Sequence, residues 1–277
     1  MSVGIWTFAF DGKEIGEVRA AAAEVESLGY SALWFGEYRG REAFTQAAML
    51  LAATSTLPVA TGIARFSERE ATTAEAAGRT LAEAYPGRFT LGLGGHRPGS
   101  GVLTAMRSYL DAMDKADLDV PGARPRRVLA ALGPKLLELA AARTDGAHSY
   151  FVPPEHTAFA RKTMGPDAYL AVEQAVVLDA DPGRARRIAR EHVDGYVRLA
   201  PHQQANLRRL GFTDADLADG GSDRLVDAIV AYRGEQEVAD RIRAHLDAGA
   251  DHVCVQVLDG TGGIPVESWR RLAPLVL

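Results

Sequence analysis

Residues 85–96, YPGRFTLGLGGH, put three glycines at the end of an apolar segment and a histidine straight after them. Histidine titrates near neutral pH, so His96 is a candidate to give or take a proton there. LWFGEYRGRE closes on Gly36, Glu37 and Tyr38, which add a carboxylate and a phenol. VATGIA closes on Gly62, Ile63 and Ala64, and AHSYF offers His148, Ser149 and Tyr150. LAALGPKLLEL places Gly133 and Pro134 at the start of a helix. Backbone N–H groups over 133–136 would face an anion such as a phosphate, helped by the helix dipole. Together these groups suit a flat ligand with an anionic tail. Gly94 and its neighbours would let that ligand approach the backbone, or would simply supply positive φ in a tight turn.

Other chemistries fit less well. GLGGHR departs from the dinucleotide pattern G-x-G-x-x-G at Arg97, and no GK[ST] follows it. The seven histidines are dispersed without H-x-x-x-H or H-x-H pairs, so no metal site is expected. Cys254, the single cysteine, lies in VCVQV and reads as a buried small hydrophobe. Glu37 has a plain alternative as a partner of Arg39 or Arg41. His156 reads as a surface residue early in a helix.

The elements that must position these groups alternate. VGIWTF, SALWF, LPVATGI, FTLGLG, RRVLAAL, GAHSYFV, AYLAVEQAVVL and HVCVQVL are strand-like. Ile15, Val18, Ala22, Val25 and Leu28 recur at helical spacing, and comparable helical stretches separate the other strands. ESLGYSALWF, ARTDGAHSYF and LDAGADHVCVQV each run helix, glycine, short turn, strand. Alternation of this kind predicts an α/β fold with a parallel sheet, and eight units in 277 residues predict a closed (β/α)8 TIM barrel. In such a barrel every candidate above lies on the rim at the strands' C-terminal ends. PHQQANLRRLGF and SDRLVDAIVAY are two extra helical pieces joined by the acidic TDADLADGGSD. They read as an insertion over about 200–234, between strands seven and eight of one domain spanning 1–277.

A formal net charge of −5 argues against a nucleic-acid partner. One cysteine cannot form a disulfide within the chain, which suits a reducing compartment. The N-terminus shows no signal-peptide pattern, and no apolar run is long enough for a membrane helix. The expected setting is cytoplasmic, with a small-molecule substrate and no membrane partner.

IWTFAF, LGYSALWFGEYRGREAFTQAAMLLAATSTLPVATGIA, AEAYPGRFTLGLGGH, RVLAALGPKLLELAAARTDGAHSYFVPPEHT and LDAGADHVCVQVL resemble the luciferase-like superfamily. They are similar in particular to actinobacterial oxidoreductases that use the deazaflavin coenzyme F420. That resemblance implies a (β/α)8 barrel with a late insertion, and a homodimer. It implies a deazaflavin held at the strand ends, with a non-prolyl cis peptide at Gly62–Ile63 or its neighbour bulging against the ring. It implies hydride transfer between coenzyme F420 and a small organic substrate. An FMN-dependent monooxygenase and a non-catalytic flavin-binding barrel are the alternatives. The family commonly carries an acid and then a histidine after the second strand. Here the pair is Glu37-Tyr38, which makes His96 the substitute histidine. The catalytic candidates are therefore His96, Glu37 and Tyr38. The cofactor-binding candidates are Gly62, Ile63, Ala64, Gly94, Gly133, Pro134 and Ser149.

Overall fold

The computed structural model describes residues 2–95 and 101–277. Its first half runs β1 (Val3–Thr7), α1 (Ile15–Ser27), β2 (Leu33–Phe35), α2 (Ala43–Ala52), β3 (Val59–Thr61), β4 (Ala64–Arg65), α3 (Ala71–Ala84), β5 (Phe89–Gly94) and α4 (Val102–Asp114). It continues with β6 (Arg126–Ala130), α5 (Pro134–Arg143), β7 (Gly146–Ser149), α6 (Pro154–Met164) and β8 (Tyr169–Val176). After α7 (Pro182–Leu199), the late insertion holds α8 (Pro201–Arg209), α9 (Asp214–Leu217), α10 (Asp223–Ile229) and β9 (Val230–Ala231). The chain ends with α11 (Glu235–Asp247), β10 (His252–Val257) and α12 (Val266–Val276).

Eight parallel strands close on themselves in the order β1, β2, β3, β5, β6, β7, β8, β10, because β10 pairs with both β8 and β1. The eight strand-like segments of the sequence are these eight strands. Residues alternate between two faces, as a pleated strand requires. Val3, Ile5, Leu33, Leu91 and Val253 face the helices in the main buried cluster. Trp6, Trp34, Ala60, Val128, Ala171 and Cys254 form a separate cluster inside the barrel. Cys254 is buried there, as its apolar setting predicts.

Local signals set the joints. Gly29 (φ 86°) and Gly249 (φ 101°) take the left-handed backbone that ends α1 and α11 and turns the chain into the next strand. Prolines open α5, α6 and α7 at positions where a helix has no use for the N–H.

Two details differ from the sequence reading. LPVATGI is not one strand: it breaks after Thr61 at a cis Gly62–Ile63 peptide and resumes as β4 beside β5. The connector TDADLADGGSD contains the short helix α9, because Thr213 and Asp216 cap each other. The insertion shares an apolar cluster with α7 and the end of β8, including Val193, Val197, Ala175, Leu207 and Leu225. Its strand β9 pairs in parallel with the C-terminal end of β8.

Candidate active site

The last inward-facing layer at the C-terminal mouth has two halves. Gly36, Gly62, Gly94 and Ala130 make the small half. Trp6, Tyr150, Glu173 and Gln256 make the large half. The large side chains and their neighbours lean across the small ones. A Cβ on Gly36 would lie 2.2 Å from the Phe8 ring, and one on Gly62 would lie 2.5 Å from Trp6 Nε1. At Gly94 it would meet Ala130 Cβ at 2.7 Å and Ile63 Cγ1 at 2.9 Å. The space that Gly94 opens is thus filled by the chain itself, and its direct role is to seat Ile63 beside the cis bend.

Aromatic rings complete the mouth. Trp6 meets Phe8 edge-on at 4.4 Å and Tyr150 at 4.9 Å between ring centroids, and Tyr196 of α7 packs on Tyr150 at 5.3 Å. Tyr196 donates to the Tyr150 hydroxyl (2.7 Å), which donates to Gln256 Oε1 (2.8 Å). Burial raises the pKa of both phenols, so this relay is protonated at neutral pH.

Glu173 is the group that sequence inspection missed. Its Oε2 accepts the Phe151 N–H at 3.0 Å, while the buried Oε1 has no partner among the described residues. Burial pushes the carboxyl up to about 8, and the Phe151 bond opposes the shift without cancelling it. The acid is therefore largely neutral near pH 7. The available signal was one charged residue in the otherwise uncharged AYLAVEQAVVL, on the inward face with Ala171. Trp6 Nε1 is a second buried polar atom here without a partner. His148 lies one layer deeper, stacked on Trp34 at 4.7 Å, and burial pushes its pKa down to about 3.

The predicted residues divide by position. Glu37 accepts the Ala43 N–H (3.1 Å), the Arg65 N–H (2.7 Å) and the Arg69 guanidinium. Its partner is Arg69, not Arg39 or Arg41, so it ties the β2–α2 loop to β4 and the turn that follows. Tyr38 is exposed on the rim, 6.1 Å from the Phe8 ring and beneath the Arg39 guanidinium. Ile63 borders the mouth. Ala64 faces the helical layer in the main core. Ser149 is buried with its hydroxyl donated to the Ala131 carbonyl at 3.0 Å. His96 lies outside the described residues. His156, expected on the surface, is fully buried and bonds the Leu132 carbonyl through Nε2 at 2.9 Å. Its apolar helix face settled that, against the prior set by its polarity.

Gly133 and Pro134 open α5 as expected. Pro134 has no N–H, and that of Leu136 turns back to the Gly133 carbonyl at 3.1 Å. Gly133 and Lys135 remain as N–H groups for an anion. The insertion supplies what the sequence did not show. Arg209 Nη2 lies 3.4 Å from the position of a Gly133 Cβ and is joined to Asn206, whose buried Nδ2 has no partner.

Residues 1–100 match the family model described as luciferase-like monooxygenase. Solved structures extend the likeness along the whole chain. One is an F420-dependent secondary alcohol dehydrogenase in complex with an F420–acetone adduct (TM-score 0.76, 15% identity, 100% of this chain and 99% of that one). This chain shares their barrel fold. The coenzyme F420-dependent tetrahydromethanopterin reductase of Methanopyrus kandleri shares that fold at TM-score 0.77 and 16% identity, over 99% of this chain and 98% of its own. So does the oxygenating constituent of 3,6-diketocamphane monooxygenase from Pseudomonas putida, in complex with FMN (0.70, 17%, 99% and 96%). No curated protein sequence matches the chain. Among the described residues no cluster of histidine, cysteine or carboxylate side chains is arranged to hold a metal ion, and no helix is long and apolar enough to cross a membrane.

Proposed function

We propose that this luciferase-like barrel is an oxidoreductase that transfers a hydride between coenzyme F420 and a small organic substrate. One observation carries the reading: the mouth joins aromatic walls to buried polar atoms without partners, Trp6 Nε1 and Glu173 Oε1. A planar heteroaromatic ring with polar edges complements such a surface. An anionic tail has Gly133, Lys135 and Arg209 to meet it. The preference for a deazaflavin over FMN rests on the sequence resemblance.

The bound deazaflavin supplies the hydride chemistry. Trp6, Phe8 and Ile63 wall its site, and Gly133, Lys135 and Arg209 hold the tail. Glu37 fixes the loop that carries Tyr38, and Tyr38 presents a hydroxyl on the rim, where the substrate's proton is exchanged. His96 is the second group proposed for that exchange. The aromatic layer keeps water from the barrel interior beneath.

A fluorescence titration of the purified chain with coenzyme F420 and, in parallel, FMN tests the reading. Saturable quenching by F420 alone is the expected result. Binding of FMN alone transfers the site to flavin monooxygenase chemistry, the activity named by the family model. Binding of neither removes the oxidoreductase reading.

A further inference from the structure

The opposite end of the barrel is hollow. A cavity of about 570 Å³ opens among the N-terminal ends of the strands, within the size range of small-molecule sites. It exists because several inward residues there are small: Ala32, Ala60 and Thr90 lie where most barrels of this type place bulky branched side chains. Trp34 and Tyr169 supply its aromatic surface.

The inner polar groups of this cavity are biased toward donors, and the one carboxylate of the lining, Glu83, is exposed at its edge. Trp34 Nε1 donates to His252 Nε2 at 3.0 Å, so Nε2 is the unprotonated ring nitrogen. His252 is neutral, because burial, reinforced by the charge of Arg126, pushes it down to about 4. Its proton therefore sits on Nδ1 and is donated to Ser2 Oγ at 2.8 Å. A histidine that donates to a serine cannot serve as its base, so this pair is not a hydrolytic nucleophile. Among the described residues the hydrogen of Ser2 is left with Ser31 Oγ, at 3.3 Å, longer than a good O–H···O bond. At the lip, Arg126 stacks over the Tyr169 ring at 4.5 Å. Among the described residues no carboxylate pairs with it, whereas the adjacent Arg124 and Arg127 both hold Asp114.

We infer that the barrel base is a second ligand site, separate from the mouth, that takes a planar aromatic monocarboxylate. The aromatic surface takes the ring. The carboxylate meets the Arg126 guanidinium and the Ser2 hydroxyl. One guanidinium without a carboxylate partner among the described residues matches one negative charge.

Isothermal titration calorimetry of the full chain with 2-naphthoate, and with the neutral 2-naphthamide as control, tests this. Saturable binding of the carboxylate is expected, with the amide weaker by about ten-fold or more. Arg126→Gln, at an exposed position where the arginine meets Tyr169 but no carboxylate among the described residues, should weaken naphthoate by about ten-fold. Ser2→Ala should weaken it by a smaller factor. Coenzyme F420 affinity should stay unchanged in both variants. Absence of saturable binding overturns the inference. Equal affinity for carboxylate and amide, or undiminished binding by Arg126→Gln, also overturns it. Displacement of naphthoate by coenzyme F420 would place it at the mouth and overturn it as well.

Discussion

The two ends of this barrel solve the same problem in opposite ways. At the mouth, glycines let large side chains cross the axis, and packing leaves Trp6 Nε1 and Glu173 Oε1 without partners. At the base, small side chains leave a hollow, and Trp34, His252 and Ser2 bond one another in a chain. Fullness and polar satisfaction are therefore separate properties. A packed end is still chemically incomplete, which marks it for a ligand that brings hydrogen-bonding atoms. A hollow end whose Trp34 and His252 are paired suits an aromatic body, with its charge met by Arg126 at the lip and the Ser2 hydroxyl.

Titration should separate the ends most strongly. Unfolded Glu173 ionises near its ordinary value of 4.5, but the folded acid holds its proton to about 8. The native state thus carries more protons in that window. The contribution of Glu173 is fully present below about pH 4.5, is lost as pH rises to about 8, and is flat above. Its size is on the order of a few kcal/mol. His252 at the base runs the other way. Its folded pKa of about 4 lies below the ordinary 6.5, so the stability it contributes above 6.5 is lost as pH falls toward 4. His148, His156, His192 and His245 are buried and lowered in the same direction and share that acid limb. Urea unfolding from pH 5 to 9 should show Glu173→Gln losing the alkaline decline and keeping the acid one. An unchanged alkaline decline would place its cause elsewhere.

The next effect is steric. Gly94→Val puts branched carbon where Ala130 and Ile63 already lie within 3 Å of a Cβ. It should cost about 3 kcal/mol or more, a fall in Tm of roughly 10 °C. Thr90→Leu at the base grows into the hollow and should shift Tm by no more than about 3 °C. Comparable losses at both ends would erase the contrast in packing.

Glu37→Gln should come next, at about 2 kcal/mol, because the amide nitrogen replaces a carboxylate oxygen that accepts backbone or Arg69 hydrogens. A thermal melt measures it. A loss of turnover with no loss of stability would instead make Glu37 a reacting group. Tyr38→Phe should be the smallest, within about 0.5 kcal/mol in a melt, since the hydroxyl is on an exposed rim. Its effect should fall on turnover.

The barrel was legible in the sequence because helix and strand periodicities and the joints at Gly29 and Gly249 are local signals. The site was less so. Glu37 selects Arg69, 32 residues away, over the adjacent arginines, and only the closed barrel brings that pair together. His156 is buried because α6 turns that face inward to Leu132. Glu173 and Arg209 gain meaning from strand facing and from the docking of the insertion, which no stretch of either segment records. The glycines of LGLGG signalled close approach correctly. What approaches Gly94 in this fold is Ile63 and Ala130.

The central claim is that the mouth holds a deazaflavin. A crystal structure of the chain with coenzyme F420 tests it most directly. The account predicts the ring against Trp6, Phe8 and Ile63, with the phosphate between Gly133 and Arg209. A ring bound at the base, or no cofactor in the mouth at saturating concentration, would contradict it.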